Sequence, residues 1–143
     1  MAKGLYTPKN PEKYLGDPRK IRFLSSWELR MMSFCDSNPN VLKWGSEELK
    51  IHYFNPIKKK VCTYLPDFII KYQDQDGKIL TEVIEIKPLK QSVIGKGKIS
   101  VYDQVQLVIN HAKWAAATAF CEKHGIKFRV VTEMSMFRQK GKI

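Results

Sequence analysis

The chain has 143 residues, enough for one core and too few for two. Its 43% apolar share is ordinary for a globular protein, and no apolar run approaches membrane-spanning length, which sets the disordered and membrane-spanning classes aside. Lys and Arg number 25 against 14 acids, a formal net charge of +11, so a polyanion is the expected partner.

Residues 1–20 hold Pro8, Pro11 and Pro18, two glycines and several lysines without apolar periodicity. They read as a basic extended arm lying on the surface or on nucleic acid, with a disordered terminus as the plainer alternative for the first few. The start lacks a signal-peptide core, so a soluble, intracellular protein is expected. A first helix is predicted from Ser25 or Ser26. Leu24, Glu28, Met31, Met32 and Cys35 recur at helical spacing, with Ser26, Arg30, Ser33 and Ser37 opposite. Ser25-Ser26-Trp27-Glu28 fits a capping box in which Glu28 reaches back to the Ser25 backbone. Yet Glu28 also falls on the buried stripe, where a carboxylate needs a partner, and a nearby cation would serve. Both readings stand at this point. Asp36-Ser37-Asn38-Pro39 should stop the helix.

Val41 to Trp44 reads as a short strand, and Leu49, Ile51 and Tyr53 alternate with Lys50, His52 and Phe54 as a half-buried one. The Lys58, Lys59, Lys60 turn is a solvated loop that could grip phosphates. Val61–Tyr72 and Lys78–Lys87 would then complete a three-stranded antiparallel meander.

The turn at Asp74-Gln75-Asp76-Gly77 separates two β-rich runs, a hairpin signal. Folding the runs back about Gln75 and Asp76 sets Asp67 opposite Ile84 or Glu85. The second register needs only a three-residue loop or a bulge. In it Asp67, Glu85 and Lys87 share one face, and Phe68, Ile70, Ile84 and Ile86 take the other. Two carboxylates and an ammonium at a strand end suit a hard divalent cation and charge stabilisation on a phosphate. An exposed strand face with alternating charges is the plain alternative. Pro66-Asp67 in front and the apolar opposite face favour the metal site.

After Pro88, residues 89–100 form a basic, glycine-containing loop with Lys90, Lys96 and Lys98, able to track a DNA backbone or serve as a mere connector. A second helix is expected from about Ser100 to His124. Its apolar face is Val105, Val108, Ile109, Ala112, Ala115, Ala116 and Ala119, extended by Leu107, Trp114 and Cys121. Asn110 and Lys113 are assigned to the helix rim. Ile126–Thr132 reads as a last strand, parallel to the one carrying Glu85. A basic tail, residues 134–143 with Arg138, Lys140 and Lys142, closes the chain. Cys35, Cys62 and Cys121 read as reduced thiols in apolar runs. Cys121-x-x-His124 has no second pair at metal spacing, so zinc is not expected.

Pro66-Asp67, a spacer of strand-turn-strand length and Glu85-x-Lys87 together resemble the PD-(D/E)xK nuclease superfamily. The order of Glu28 helix, Pro-Asp, Glu-x-Lys, alanine-rich helix and Phe-Arg-Val-Val-Thr-Glu is similar to a narrower group. That group is the head-completion nucleases of tailed phages and the related N-terminal endonuclease domain of heteromeric transposases. Ser25–Leu29, Cys35–Pro39, Glu85–Pro88, Ala112–Trp114, Phe120-Cys121 and Val131–Glu133 carry most of the likeness. Asn10-Pro11, Tyr14–Gly16 and Tyr53–Pro56 favour the phage side. So does Glu85, where the transposase relatives have glutamine.

The likeness spans nearly the whole chain and makes residues 1–143 one domain. It implies an α/β restriction-endonuclease-like fold, a central mixed sheet flanked by helices. It implies a Mg²⁺-dependent deoxyribonuclease, with Mn²⁺ as a substitute, acting in head completion after DNA packaging. Glu28, Asp67, Glu85 and Lys87 become the expected active site. Asp67, Glu85 and the Ile86 carbonyl hold the ion, Glu28 serves a second ion or its water, and Lys87 positions the attacking water. Lys58, Lys59, Lys60, Lys90, Lys96 and Lys98 are expected to touch DNA backbone. Head or portal proteins, the host cytoplasm during assembly and the virion are the partners and places this role suggests. The alternative is a structural or DNA-end-binding virion assembly protein without nuclease activity, and RNA is a second possible substrate.

Overall fold

The chain reversal at Gln75-Asp76-Gly77 sets the register on which the rest depends. The structure is a computed structural model that describes residues 3–87 and 100–132. Gly77 takes φ +80, open to a residue without Cβ. The Asp74 carboxylate accepts the Asp76 and Lys78 N–H groups at 2.9 Å each, and the Asp74 N–H donates to the Lys78 carbonyl at 2.9 Å. The loop is thus the three-residue kind, and the ladder pairs Gln73 with Ile79 and Phe68 with Ile84.

The elements are β1 (Gly4–Leu5), a 3-10 turn (Pro11–Lys13), β2 (Arg22–Phe23), α1 (Ser26–Ser37), β3 (Val41–Ser46) and β4 (Ile51–Asn55). Then follow β5 (Lys60–Tyr64), β6 (Phe68–Gln73), β7 (Ile79–Lys87), α2 (Val101–Lys123) and β8 (Lys127–Thr132). The central sheet has the order β3-β6-β7-β8. Its β3–β6 and β6–β7 pairs are antiparallel and β7–β8 is parallel, as expected for a strand returning after a helix. Pro88, the loop lysines Lys90, Lys96 and Lys98, and the tail 134–143 lie outside the described residues.

The antiparallel part is not the meander read from the sequence. Val61–Tyr72 is two strands, β5 and β6, separated at Leu65-Pro66-Asp67, where proline has no N–H for a ladder. β4 and β5 leave the central sheet and pair only with each other, from Ile51↔Tyr64 to Asn55↔Lys60. Their place beside β6 is taken by β3.

Each face of the sheet has its own core. Phe68, Ile70, Ile84 and Ile86 point to the α1 side, where Met31, Met32, Cys35, Val41 and Trp44 join them, as the alternation required. On the other side Ile51, Tyr53, Tyr64 and Ala117 form a second cluster. Half-buried Ile109, Ala112, Trp114, Phe120 and Phe128 pack on it. α2 is rotated from the expected face: Asn110, Ala117 and Cys121 are its buried residues, and Val108, Ala115 and Ala119 face outward. It is capped by Ser100, whose side chain accepts the Asp103 N–H, and is followed by Gly125 at φ +69.

Residues 3–20 are tied into the fold more closely than an arm. β1 pairs with β2, Tyr14 and Ile21 are buried, and the Tyr14 ring meets Trp44 edge-on at 4.7 Å. The anchor is Asp36, which accepts Tyr6 Oη at 2.7 Å and the Lys9 and Asn10 N–H groups at 2.7 and 2.9 Å.

Candidate active site

Two strand ends and a helix start build the site. Asp67 directly precedes β6, and its carbonyl accepts the Glu47 N–H from the end of β3 at 3.1 Å. The Phe68↔Ile84 register carries forward to place Asp67 across from Glu85, with Lys87 two residues on. The Asp67 Oδ2 accepts the Ile86 N–H at 2.7 Å. Glu85 is 6% exposed. Its Oε1 accepts the Tyr64 hydroxyl at 2.8 Å, and its Oε2 lies 3.0 Å from Lys87 Nζ. Asp67, Glu85, Ile86 and Lys87 are therefore together, in the register that puts the two acids opposite each other.

Burial pushes the Asp67 carboxyl up to about 7, and the Glu85 charge adds to the push. The Ile86 N–H opposes it, Glu28 raises it further and Lys87 lowers it again. Tyr64 is driven above its usual range by burial and by the Glu85 charge. A buried carboxylate on which two further acids and one ammonium act favours a cation. Two opposed carboxylates offer the hard oxygens that Mg²⁺ takes together with waters.

Glu28 stands at the edge of this field, half-buried and engaged in its own helix. Its N–H donates to Ser25 Oγ at 3.2 Å, its Oε2 accepts the Ser25 hydroxyl at 3.3 Å, and its Oε1 accepts the Leu24 N–H at 3.3 Å. The box forms as the sequence indicated, but the return bond lands on Leu24, not on the Ser25 backbone. With Glu28 so held, no three His, Cys, Asp or Glu side chains among the described residues are grouped to hold one ion.

Residues 38–133 match the family model described as TnsA-like endonuclease N terminal. The chain belongs to that family. It is also 37% identical, over 139 residues, to the head completion nuclease of Enterobacteria phage T4, covering 91% of this chain and 90% of that one. No solved structure matches it significantly. The family's fold is restriction-endonuclease-like, and the mixed sheet with helices on its faces is that architecture.

Three further residues of this TnsA-like chain border the pair of acids. Tyr64, which its sequence context marks only as part of a strand, is one of them. Glu47 sits at φ 55, a left-handed conformation costing about 1 kcal/mol in a residue with a Cβ. Its carboxyl is raised by burial and then by Glu28 and Glu85, so it belongs to the same acidic field. Lys113, assigned to the helix rim, has its Nζ 5.6 Å from the Tyr64 ring centre and 6.0 Å from that of Tyr53. One signal for it was available: Lys113 lies four residues from both Ile109 and Ala117, so a lysine interrupts an apolar stripe. Lys58, Lys59 and Lys60 are exposed at the β4–β5 turn, which Asn55 Oδ1 holds through the Ile57 and Lys58 N–H groups at 2.9 and 3.0 Å. No helix of the described residues is long and apolar enough to cross a membrane.

Proposed function

We propose that this chain is a metal-dependent deoxyribonuclease, acting as an endonuclease, that hydrolyses phosphodiester bonds during phage head completion after DNA packaging. Family membership supports the nuclease class, and the printed name of the T4 relative supports the assembly role. The observation that carries the chemistry is the Asp67–Glu85 opposition with the Lys87 ammonium 3.0 Å from Glu85. Asp67 and Glu85, with the Ile86 carbonyl, are the residues that would hold Mg²⁺, or Mn²⁺ in its place. Bound there, the ion would act as a Lewis acid on the scissile phosphate.

The rest is done by the chain. Glu85 fixes Lys87 so that its ammonium meets the incoming water and the phosphate, orienting the one and offsetting charge on the other. Water adds through oxygen to phosphorus, the bond to the leaving sugar oxygen breaks, and the water proton passes to that oxygen or to solvent. Tyr64 holds Glu85 from the opposite side, keeping the carboxylate from swinging away. Glu28 is assigned to a second ion or to its water, which requires release of the Leu24 and Ser25 contacts. Lys58, Lys59 and Lys60 are assigned to backbone phosphate, without sequence reading. Head or portal proteins are the partners this role implies, in the host cytoplasm during assembly.

Plasmid cleavage decides the matter. Nicking or linearisation is expected with Mg²⁺ or Mn²⁺, loss with EDTA, and a fall of about a hundredfold or more in Lys87→Ala. Absence of metal-dependent cleavage alongside normal DNA retention would instead make this a DNA-end-binding assembly protein.

A further inference from the structure

Lys113 is a second cation that the fold keeps beside the site. It projects from the middle of α2, half-buried, and the rings of Tyr64 and Tyr53 lie 5.6 and 6.0 Å from its Nζ. Among the described residues no carboxylate pairs with it. Lys87, by contrast, is taken by Glu85 at 3.0 Å. The shelf under Lys113 leads straight to the proposed chemistry, because the Tyr64 hydroxyl is bonded to Glu85 at 2.8 Å. Burial lowers the affinity of Lys113 for its proton and the charge of Lys87 lowers it again, while Glu85 pulls the other way without reversing the shift. A partly dry ammonium near two aromatic rings and beside a like charge, only partly offset by the more distant charge of Glu85, is costly to maintain. An anion entering between the two lysines relieves that repulsion.

On the nuclease reading given above, we propose that Lys113 is a phosphate-binding residue of this site, which takes the DNA backbone phosphate that enters between it and Lys87. Lys87 is committed to Glu85 and so works on the water and the reacting phosphorus. Lys113 has no ion pair among the described residues and contacts the strand already in the bound complex. The rings of Tyr53 and Tyr64 set its height above the site through their attraction for the ammonium.

Two measurements on the full chain test this. A fluorescent duplex is titrated in EDTA at several salt concentrations, and cleavage of the same duplex is followed with Mg²⁺. K113M keeps the length and apolar stem of the side chain but loses its charge. It is expected to weaken binding about tenfold at low salt, to reduce the slope of log K against log salt by about 0.9, and to raise KM more than it lowers kcat. K113R is expected to restore the slope. The melting temperature of K113M should stay near that of the wild type, and should it fail to fold, K113Q takes its place. An unchanged salt slope in the folded neutral variant overturns the proposal, as does a K113R variant as weak as K113M. Failure of the wild type to cleave DNA sinks the nuclease reading, while the EDTA titration still decides the phosphate contact.

Discussion

Asp36 and Asp67 are both carboxylates that the fold draws out of water, and they are furnished in opposite ways. Asp36, at the end of α1, is 1% exposed and accepts three bonds on its carboxylate, from Tyr6 and from the Lys9 and Asn10 N–H groups. Burial raises its proton affinity, but these bonds outweigh burial, and its pKa ends below the usual value. Asp67 receives one bond from the described residues, the Ile86 N–H, and faces Glu85 and Glu28, so its pKa ends far above. A buried acid with a full set of donors is a rivet. One short of donors and crowded by its own kind is waiting for a partner from outside.

Removing each acid should separate these roles. Asp36→Ala strands the Lys9 and Asn10 N–H groups and the Tyr6 hydroxyl, and is expected to cost about 3–5 kcal/mol, with a melting temperature lower by roughly 10–20 °C. Asp67→Asn should leave the fold intact and abolish cleavage. Thermal melts of both variants in EDTA measure the contrast. Equal loss of stability in the two would erase the distinction drawn here.

Proton linkage gives the same comparison a sign. The pKa of Asp36 is lowered on folding, so its contribution is present above the unfolded value near 3.9 and disappears as pH falls through the folded one. The pKa of Asp67 is raised to about 7, so its favourable contribution is full below about 3.9 and is lost as pH rises through about 7. In EDTA, Asp67→Asn should therefore match the wild type near pH 4 and exceed it by roughly 10 °C at pH 8. Mg²⁺ should stabilise the wild type at pH 8 and leave Asp67→Asn nearly unmoved. A wild type whose stability relative to the variant does not change between these pH values would contradict a raised Asp67.

Some of these features are legible in the amino-acid sequence and others are not, for physical reasons. Gly77, the Asp74 side chain and alternating apolar residues specify the β6–β7 register locally, so the Asp67–Glu85 opposition was legible. The α1 cap was legible too, since Ser25 and Glu28 are three residues apart. The Asp36 knot was not: Tyr6, Lys9 and Asn10 lie 26 to 30 residues away, and no periodicity marks them. The β4–β5 ribbon deceived because a strand alternates in the same way whether it joins the main sheet or a ribbon beside it. Only Pro66 hinted at the break. Tyr64 and Glu47 reach the site through contacts between elements, which spacing along the chain does not display, whereas Lys113 is marked only as a break in the apolar stripe of α2.

The smallest effect concerns Glu28, which lies between the two aspartates in kind. Its bonds to Leu24 and Ser25 make it a helix cap, and its charge still reaches Asp67. Ser25→Ala removes the cap hydroxyl and should cost about 1 kcal/mol, while releasing the Glu28 Oε2. Glu28→Gln keeps an oxygen able to accept the Leu24 N–H, so its stability should stay within about 0.5 kcal/mol of the wild type, yet it removes the charge. If Glu28 belongs to the site as well as to the cap, Ser25→Ala keeps most of its cleavage whereas Glu28→Gln loses at least about tenfold. Measured together, melting and cleavage of the two variants pull apart functions that one carboxylate combines. Unimpaired cleavage in Glu28→Gln would assign this residue to the helix alone and leave catalysis to the hairpin.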